Sequence, residues 1–363
     1  MCSKLLRLAG AVAAAIPLAI LLPSSGCAAP VANPLQRAAP PAVQAQGRVL
    51  LGLARAGDRL VAVGERGLVL LSDDHGRSWR QARVPVAVTL TAASFPTPQS
   101  GWATGHAGTV LHTEDGGETW VRQLDGNAVG RLLAAAPGQA ALAQQFIADG
   151  PDKPFLDVVF QDPRNGIVAG AYGLILRTGD GGKTWAPLMD RVDNPKGLHI
   201  YAIRARGDGI WLAGEQGLLA HSADGGKTFG KVAAPYRGTY FTLGGLPDGG
   251  IVLGGLKGNA FRSNSGGFER LDGYPPLSLS ASAVLADGRI AFANQAGQLF
   301  IAGPQGQDAR MVPQLHPAPL AALAQAANGD LIVAGVRGVV AIPAGALAAA
   351  PSPSSHTVSG AKP

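Results

Sequence analysis

The chain of 363 residues contains 51 Gly and 27 Pro, its net charge is +6, and only 6% of its residues are aromatic. With 47% apolar residues it is too hydrophobic for intrinsic disorder, and its Gly and Pro content is too high for a helical bundle. The basic residues are scattered, which argues against a nucleic-acid-binding protein. Glycine at this density is typical of many tight turns and therefore of many short strands.

The N-terminus has the pattern of an export signal. Lys4 and Arg7 precede an apolar run over residues 8–22, which is shorter than a typical membrane span. We therefore predict that residues 1–28 direct export to the periplasm. Two endings stay open, because cleavage after Ala28 or Ala29 would release a soluble protein, whereas cleavage before Cys27 would leave that residue to be lipidated.

A pair of glycines with the spacing Gly-x-x-Gly recurs between apolar runs along the chain. The first positions are Gly64, Gly105, Gly170, Gly214, Gly255, the weaker copy Asn294, and Gly335. Successive copies are 41, 65, 44, 41, 39 and 41 residues apart, so one interval contains an insertion. Each unit contains four short strand patterns, and units of this size are typical of propeller blades. The predicted fold class is all-β, a seven-bladed β-propeller of four-stranded blades over residues 33–343.

A second motif follows the first four copies and matches the Asp-box, or BNR, pattern; its first example is the segment 72–79. The carboxylate of its Asp can accept backbone N–H groups, and its Gly supplies positive φ. The aromatic residue at its end would anchor the outer strand against the neighbouring unit. We predict a structural, non-catalytic role for Asp74, Trp79, Asp115, Trp120, Asp180, Trp185, Asp224 and Phe229.

Three segments lie outside the regular repeat. The segment 34–40 is similar to the outer strand pattern 79–85, so we predict that it forms the fourth strand of blade seven and closes the ring. The insertion over about 124–153 predicts two short helices, at 128–133 and 139–147, between blades two and three. The tail 344–363 is rich in Ala, Pro and Ser and is predicted to be disordered.

The Asp-boxes together with the Gly-x-x-Gly turns resemble the photosystem II stability and assembly factor family of seven-bladed propellers, over about residues 47–343. The stretches 168–173 and 197–199 are similar to its exported bacterial branch, which occurs in organisms without photosynthesis. The resemblance implies a non-enzymatic periplasmic protein that binds a protein partner through an Arg-rich surface. It would assist the assembly or stability of an envelope membrane-protein complex.

The same resemblance suggests an RND-type transporter as the client. We expect a monomer without cofactor, metal or nucleic-acid partner, in contact with the membrane only peripherally or through a lipid anchor.

The turns between the second and third strands emerge on one face of a propeller, around its central channel, and are the best candidates for binding. Three of these turns contain a cation and one contains an aromatic side chain of the kind that interfaces favour. The candidate partner-binding residues are Arg66, His106, Tyr172, Gln216, Lys257 and Arg337.

Two other functions compete with partner binding. Sialidases also contain Asp-boxes, so a sialidase-like or other glycoside hydrolase is the alternative, although no pair of facing carboxylates stands out in the sequence. A carbohydrate-binding propeller is the third hypothesis, against which the low aromatic content argues. The histidines have no metal-ligand spacing, so we predict no metal site.

Overall fold

The computed structural model describes residues 33–313 and 318–348, so the predicted export signal, Cys27 and residues 349–363 lie outside the described residues. The described residues contain 27 strands in seven antiparallel sheets, six of four strands and one of three. Each sheet contacts the next in chain order, and the first strand of blade seven contacts the first strand of blade one. The fold is therefore a seven-bladed β-propeller.

The strands of the first four blades are given in chain order. Blade one contains β1 (Leu50–Ala56), β2 (Arg59–Gly64), β3 (Val69–Ser72) and β4 (Arg80–Gln81). Blade two contains β5 (Leu90–Ser94), β6 (Gly101–Gly105), β7 (Val110–Thr113) and β8 (Val121–Leu124). Blade three contains β9 (Phe155–Phe160), β10 (Gly166–Gly170), β11 (Ile175–Thr178) and β12 (Ala186–Pro187). Blade four contains β13 (Ile200–Arg206), β14 (Gly209–Gly214), β15 (Leu219–Ser222) and β16 (Gly230–Lys231).

The remaining blades follow the same order. Blade five contains β17 (Tyr240–Gly245), β18 (Ile251–Gly255), β19 (Ala260–Asn264) and β20 (Gly267–Leu271). Blade six contains β21 (Leu279–Val284), β22 (Ile290–Asn294), β23 (Leu299–Ala302) and β24 (Arg310–Val312). Blade seven contains β25 (Leu320–Gln325), β26 (Leu331–Gly335) and β27 (Gly338–Ile342). The helices are α1 (Gly126–Ala135), α2 (Ala140–Asp149) and α3 (Ala344–Ala348).

The hydrophobic core lies between adjacent blades. Every residue of the second strand is buried in blades two, three, five, six and seven, because both faces of that strand pack on neighbouring sheets. Trp102 of blade two, for example, is fully buried and stacks on Phe160 of blade three with ring centroids 3.6 Å apart. Within the described ranges, no helix has both the length and the apolar character needed to cross a bilayer.

The first glycine of each Gly-x-x-Gly pair is explained by a close approach of two backbones. A Cβ atom at Gly64 would overlap the carbonyl oxygen of Val49, which precedes the first strand of the same blade. The second glycine has a different requirement, since Gly67 has a φ of 76°, in the left-handed region. The period seen in the sequence thus marks where the second strand meets the start of the first.

The insertion between blades two and three contains α1 and α2, where the sequence predicted two short helices. The Asp125 carboxylate accepts a hydrogen bond from the backbone N–H of Ala128 and caps α1. Backbone hydrogen bonds from Gly126 to Ala107 and from Gly108 to Lys153 hold both ends of the insertion to the Gly-x-x-Gly turn of blade two.

The N-terminal segment does not complete blade seven, so that prediction is wrong. Pro34–Gln36 forms a 3-10 turn, and the Pro34 carbonyl accepts a 2.8 Å hydrogen bond from Ala87 in the connection between blades one and two. Leu35 is buried in the core that these two blades share. Proline has no N–H to donate to a strand ladder, and an apolar site near blade one is available for Leu35. Blade seven has three strands among the described residues.

The tail is also ordered further than predicted, because its first five residues form α3. Leu347 is buried against the core between blades six and seven, and its carbonyl accepts a hydrogen bond from Arg289 at 2.9 Å. The Asp330 carboxylate accepts the backbone N–H of Ala344 at 3.0 Å. The prediction of disorder from residue 344 is therefore wrong for these residues.

Candidate functional site

The loops of the propeller fall on two opposite faces. In blade one, Leu50 at the start of β1 pairs with Gly64 at the end of β2, so the turn after Gly64 lies beside the start of the first strand. The equivalent turns and the connections between blades form what we term the Gly-turn face. The turns between first and second strands and the loops between third and fourth strands, including the Asp-boxes, form the opposite Asp-box face.

Four long side chains in the turns between second and third strands occupy a backbone region that disfavours them. Arg66, Tyr172, Gln216 and Lys257 have φ values of 55°, 59°, 50° and 55°, and all four are exposed. A residue with a Cβ loses roughly 1–2 kcal/mol in the left-handed region. These four predicted partner-binding residues thus occupy equivalent positions, the third residue of each turn.

The other two predicted residues on this face are placed differently. His106 is exposed but comes one residue earlier in its turn, where Ala107 has the left-handed backbone, with a φ of 55°. Arg337 is exposed in the two-residue turn between β26 and β27, and there Gly338 has the positive φ. The equivalence of the six candidate residues is therefore incomplete, although all of them lie on the Gly-turn face.

A series of aromatic rings leads from Tyr172 to the channel wall. The ring centroids of Tyr172 and His199 are 5.2 Å apart, those of His199 and Tyr201 are 6.1 Å apart, and those of Tyr201 and Phe241 are 5.3 Å apart. Glu215 fixes His199, since its carboxylate accepts the backbone N–H at 2.9 Å and lies 3.8 Å from Nδ1. Burial, together with the charge of Glu215, raises the pKa of Tyr201.

Of the residues in this series, only Tyr172 was predicted from the sequence to bind a partner. His199 directly precedes β13, Tyr201 lies within it, and Phe241 is the second residue of β17. The available signal was that Tyr201 and Phe241 both come second in the first strand of adjacent blades. That repeat position faces the channel.

A buried cation at the end of the insertion, Lys153, lies against the ring of Tyr172. Lys153 is only 5% exposed, and its Nζ atom lies 5.3 Å from the centroid of the Tyr172 ring. It also forms ion pairs of 2.6 Å with Asp152 and 3.2 Å with Asp149. Burial acts to lower the pKa of Lys153, but the hydrogen bonds to these two carboxylates outweigh it and leave the pKa raised. The lysine therefore stays charged beneath the ring.

The first strands enclose a central cavity of about 740 Å³. Asp157 is the only carboxylate among the described residues that line it. Its oxygens accept hydrogen bonds from the backbone N–H groups of Val158 and Ile203, at 2.9 and 2.8 Å, and from Arg204 at 2.7 Å. Asp157 thus links blades three and four, and the described lining holds no second carboxylate to face it.

The Asp-box carboxylates are engaged within their own loops. The Asp180 carboxylate accepts the Thr184 hydroxyl at 2.6 Å, its backbone N–H at 2.9 Å and the Thr178 hydroxyl at 2.8 Å, and these bonds lower the pKa of Asp180 to about 2. The remaining three boxes repeat this arrangement around Asp74, Asp115 and Asp224.

The aromatic residues of the boxes pack inward. The indole N–H groups of Trp79 and Trp120 donate to the carbonyl oxygens of Gly76 and Gly117, at 3.1 and 2.9 Å. Trp185 and Phe229 are buried at the equivalent positions. In the part of the chain that the structure describes, no three His, Cys, Asp or Glu side chains are arranged to hold a metal ion.

Residues 140–238, from α2 to the connection after blade four, match the family model described as photosynthesis system II assembly factor YCF48. The chain is 28% identical over 127 residues to the photosystem II assembly lipoprotein Ycf48 of Picosynechococcus sp., a match that covers 33% of this chain and 31% of that protein. The photosystem II assembly protein Ycf48 of Thermosynechococcus vestitus is 25% identical over 123 residues, covering 33% and 29%. The chain is therefore similar to the photosystem II assembly factors.

Solved structures extend the likeness in fold to most of the chain, whereas the match to the curated relatives spans only about 30% of their length. A structure of YCF48 bound to D1 peptide superposes with a TM-score of 0.62 at 18% identity, covering 81% of this chain and 92% of that one. YCF48 from Cyanidioschyzon merolae gives 0.60 at 17% identity, covering 84% and 97%. The WD40 propeller domain of Doa1 gives 0.61 at 12% identity, covering 84% and 95%, so these superpositions establish the propeller fold alone.

Proposed function

We propose that the chain is a non-enzymatic propeller that binds a protein partner in the periplasm and assists the assembly or stability of an envelope membrane-protein complex. The observation that carries the proposal is the set of large exposed side chains at left-handed positions on the Gly-turn face. The similarity to the Ycf48 assembly factors supports it, as does the YCF48 structure with a bound D1 peptide. The predicted export signal supports the envelope location.

The backbone strain indicates a role for these side chains beyond folding. Glycine would adopt the conformation of Tyr172 or Lys257 at no steric cost, yet the sequence retains an aromatic ring and a cation there. Strained backbone concentrates at binding and catalytic sites, where a side chain is needed in a particular place. We infer that the Gly-turn face is used for recognition.

The geometry suggests how a partner would bind. Tyr172 is 46% exposed, and its contacts with His199 and Lys153 restrict the movement of its ring. A partly immobilised aromatic side chain is a favourable anchor for an apolar or aromatic side chain of the partner. Arg66, Lys257 and Arg337 would attract acidic groups around it and orient the encounter. His106 and Gln216 would add polar contacts at the same face.

The alternative of a glycoside hydrolase has less support. Glycoside hydrolysis uses two carboxylates that flank the scissile bond. Asp157 is the only carboxylate in the described channel wall. The Asp-box carboxylates accept hydrogen bonds within their own loops on the other face. The named relatives are assembly factors.

Affinity capture from detergent-solubilised envelope membranes tests the proposal. The tagged mature chain should recover a membrane-protein client, for which RND-type transporter subunits are the first candidates. Tyr172→Ser should reduce that recovery at least tenfold. Val121→Ser is the matched control, because Val121 is 60% exposed on an outer strand away from this face.

Equal recovery with Tyr172→Ser and the control would contradict binding at this site, and recovery of no client would contradict the function. Turnover of fluorogenic glycosides by the purified chain would instead support the alternative function of a glycoside hydrolase.

A further inference from the structure

We infer that the Gly-turn face docks onto an anionic lipid headgroup layer, an interaction separate from the protein partner proposed above. Three observations point to it: the distribution of charge between the two faces, the position of exposed apolar side chains, and the place where the chain enters the propeller. None of them depends on the identity of the client.

Charge is divided unequally between the two faces. The described loops of the Asp-box face contain fourteen Asp or Glu residues and five Lys or Arg residues. Those of the Gly-turn face contain eight Asp or Glu residues and eleven Lys or Arg residues. An anionic surface would therefore repel the first face and attract the second, which sets the orientation of the propeller.

The cations of the Gly-turn face are also largely free of counter-charges. Most of its carboxylates are already paired, as Asp125 is with Arg122 and Asp193 with Lys231. Among the described residues, nine exposed Lys or Arg side chains on this face have no carboxylate within 4.0 Å, including Arg66, Lys257 and Arg337. Each such cation near an anionic membrane contributes about 1 kcal/mol of attraction.

Exposed apolar side chains collect on the same face. Eight large apolar side chains are exposed in the described part of the chain, and three of them lie on outer strands. The remaining five lie on the Gly-turn face, Ile147 in helix α2 and the others in loops: Val43, Ile147, Tyr172, Leu277 and Val336 are 78%, 59%, 46%, 39% and 43% exposed. Basic and apolar side chains mixed on one surface are the combination that binds the headgroup layer of a membrane.

The chain reaches the propeller from this side. The segment 33–49 packs along the Gly-turn face, where Ala39 donates a backbone hydrogen bond to Val84 in the first connection between blades. Only five residues lie between Cys27 and Asn33, and a span of six residue steps reaches at most about 20 Å. Lipidation at Cys27 would thus bring the Gly-turn face to the bilayer, and the basic surface would supply a second attachment.

A lipid layer fits this surface as a whole better than a second protein does. The exposed cations and apolar side chains are spread over blades one, three, five and seven and the connections between them, which suits a flat and extended contact. The aromatic series at Tyr172, in contrast, is a local feature and suits a single side chain of a protein partner.

Vesicle co-sedimentation tests the inference with the chain from residue 29 onward, so that neither the apolar export signal nor an acyl group on Cys27 contributes. The probes are vesicles of 30% phosphatidylglycerol in phosphatidylcholine and vesicles of phosphatidylcholine alone. The protein should bind the anionic vesicles, lose most of that binding between 50 and 500 mM salt, and leave the neutral vesicles unbound. Reversal of Arg66, Lys257 and Arg337 together to Glu should weaken the partition coefficient about 100-fold or more.

The matched control reverses three exposed cations of the Asp-box face, Arg77→Glu, Lys183→Glu and Lys227→Glu, which changes the net charge by the same amount. This variant should bind within about twofold of the parent chain. An equal loss of vesicle binding in both triple variants would overturn the assignment of membrane binding to the Gly-turn face. No binding of the parent chain to anionic vesicles would overturn the inference altogether. Because the vesicles contain no protein, these outcomes are independent of client capture.

Discussion

Arg289 of blade six donates a hydrogen bond to the carbonyl oxygen of Leu347 at 2.9 Å, and Arg59 of blade one makes the equivalent contact with Gly116 in the blade-two Asp-box, at 3.0 Å. Both arginines lie five residues before the end of the second strand of their blade. The acceptor in each case belongs to the loop after the third strand of the next blade. Helix α3 therefore takes the place of the Asp-box in blade seven.

This equivalence predicts that Leu347 stabilises the contact between blades six and seven. It is 3% exposed, so Leu347→Ala should lower the free energy of unfolding by about 2–3 kcal/mol, measured by urea denaturation. Leu277→Ala is the control, since Leu277 is 39% exposed and should change stability by less than about 1 kcal/mol. Similar effects of the two substitutions would show that α3 does not hold the end of the ring.

The left-handed turn residues predict a stabilising substitution. Gln216→Gly should raise the free energy of unfolding by about 0.5–1 kcal/mol, because Gln216 has a φ of 50° and glycine adopts that conformation without steric cost. Ala296 occupies the equivalent position of blade six but has no positive φ, so Ala296→Gly should be neutral or destabilising. Thermal unfolding of both variants measures the difference, and a gain in neither would contradict strain at Gln216.

The repeat made the blades predictable, but the ends of the ring were not. A period of about 41 residues shows where strands recur, because Gly64 and its equivalents must clear a neighbouring backbone. Nothing in that period shows what happens where the repeat stops. Leu35 packs between blades one and two and Leu347 between blades six and seven, and both placements depend on apolar sites that exist only after the two adjacent blades have packed together.

The candidate site was predictable only in part for a similar reason. Turn positions such as Arg66 and Lys257 follow directly from the Gly-x-x-Gly spacing. The series from Tyr172 through His199 to Phe241 joins residues of three blades, so its contacts between blades are not visible in the sequence. The left-handed φ at the third turn residue was also hidden, because sequence reasoning assigned positive φ to glycine alone.

The hydrogen-bonded carboxylates of the Asp-boxes predict that the stability of the protein falls at low pH. Hydrogen bonds from Thr184 and Thr178 lower the pKa of Asp180 from 3.8 to about 2. A carboxyl with a lower pKa in the folded state stabilises the protein above the unfolded value, and that contribution is lost as the pH falls from about 4 to about 2. Asp180→Asn should therefore reduce the difference in urea midpoint between pH 7 and pH 2.

Asp272→Asn is the control for this experiment, because the Asp272 side chain is 89% exposed. It should leave the pH dependence close to that of the parent chain. The same dependence in all three proteins would contradict a stabilising role for the ionised Asp180 carboxylate.

The contact between blades seven and one is predicted to open first. The other junctions between adjacent blades are crossed by side-chain hydrogen bonds, as where the Thr91 hydroxyl donates to the Phe155 carbonyl at 2.9 Å and the Ser280 hydroxyl to the Leu320 carbonyl at 2.6 Å. Among the described residues no hydrogen bond joins the strands of blade seven to those of blade one, and no fourth strand pairs with β27. Hydrogen exchange measured by mass spectrometry should therefore be at least tenfold faster in the segment 331–342 than in the segment 251–264 of blade five. Equal protection in the two segments would mean that ring closure does not depend on these links, and that packing of β25 against β1 alone is sufficient.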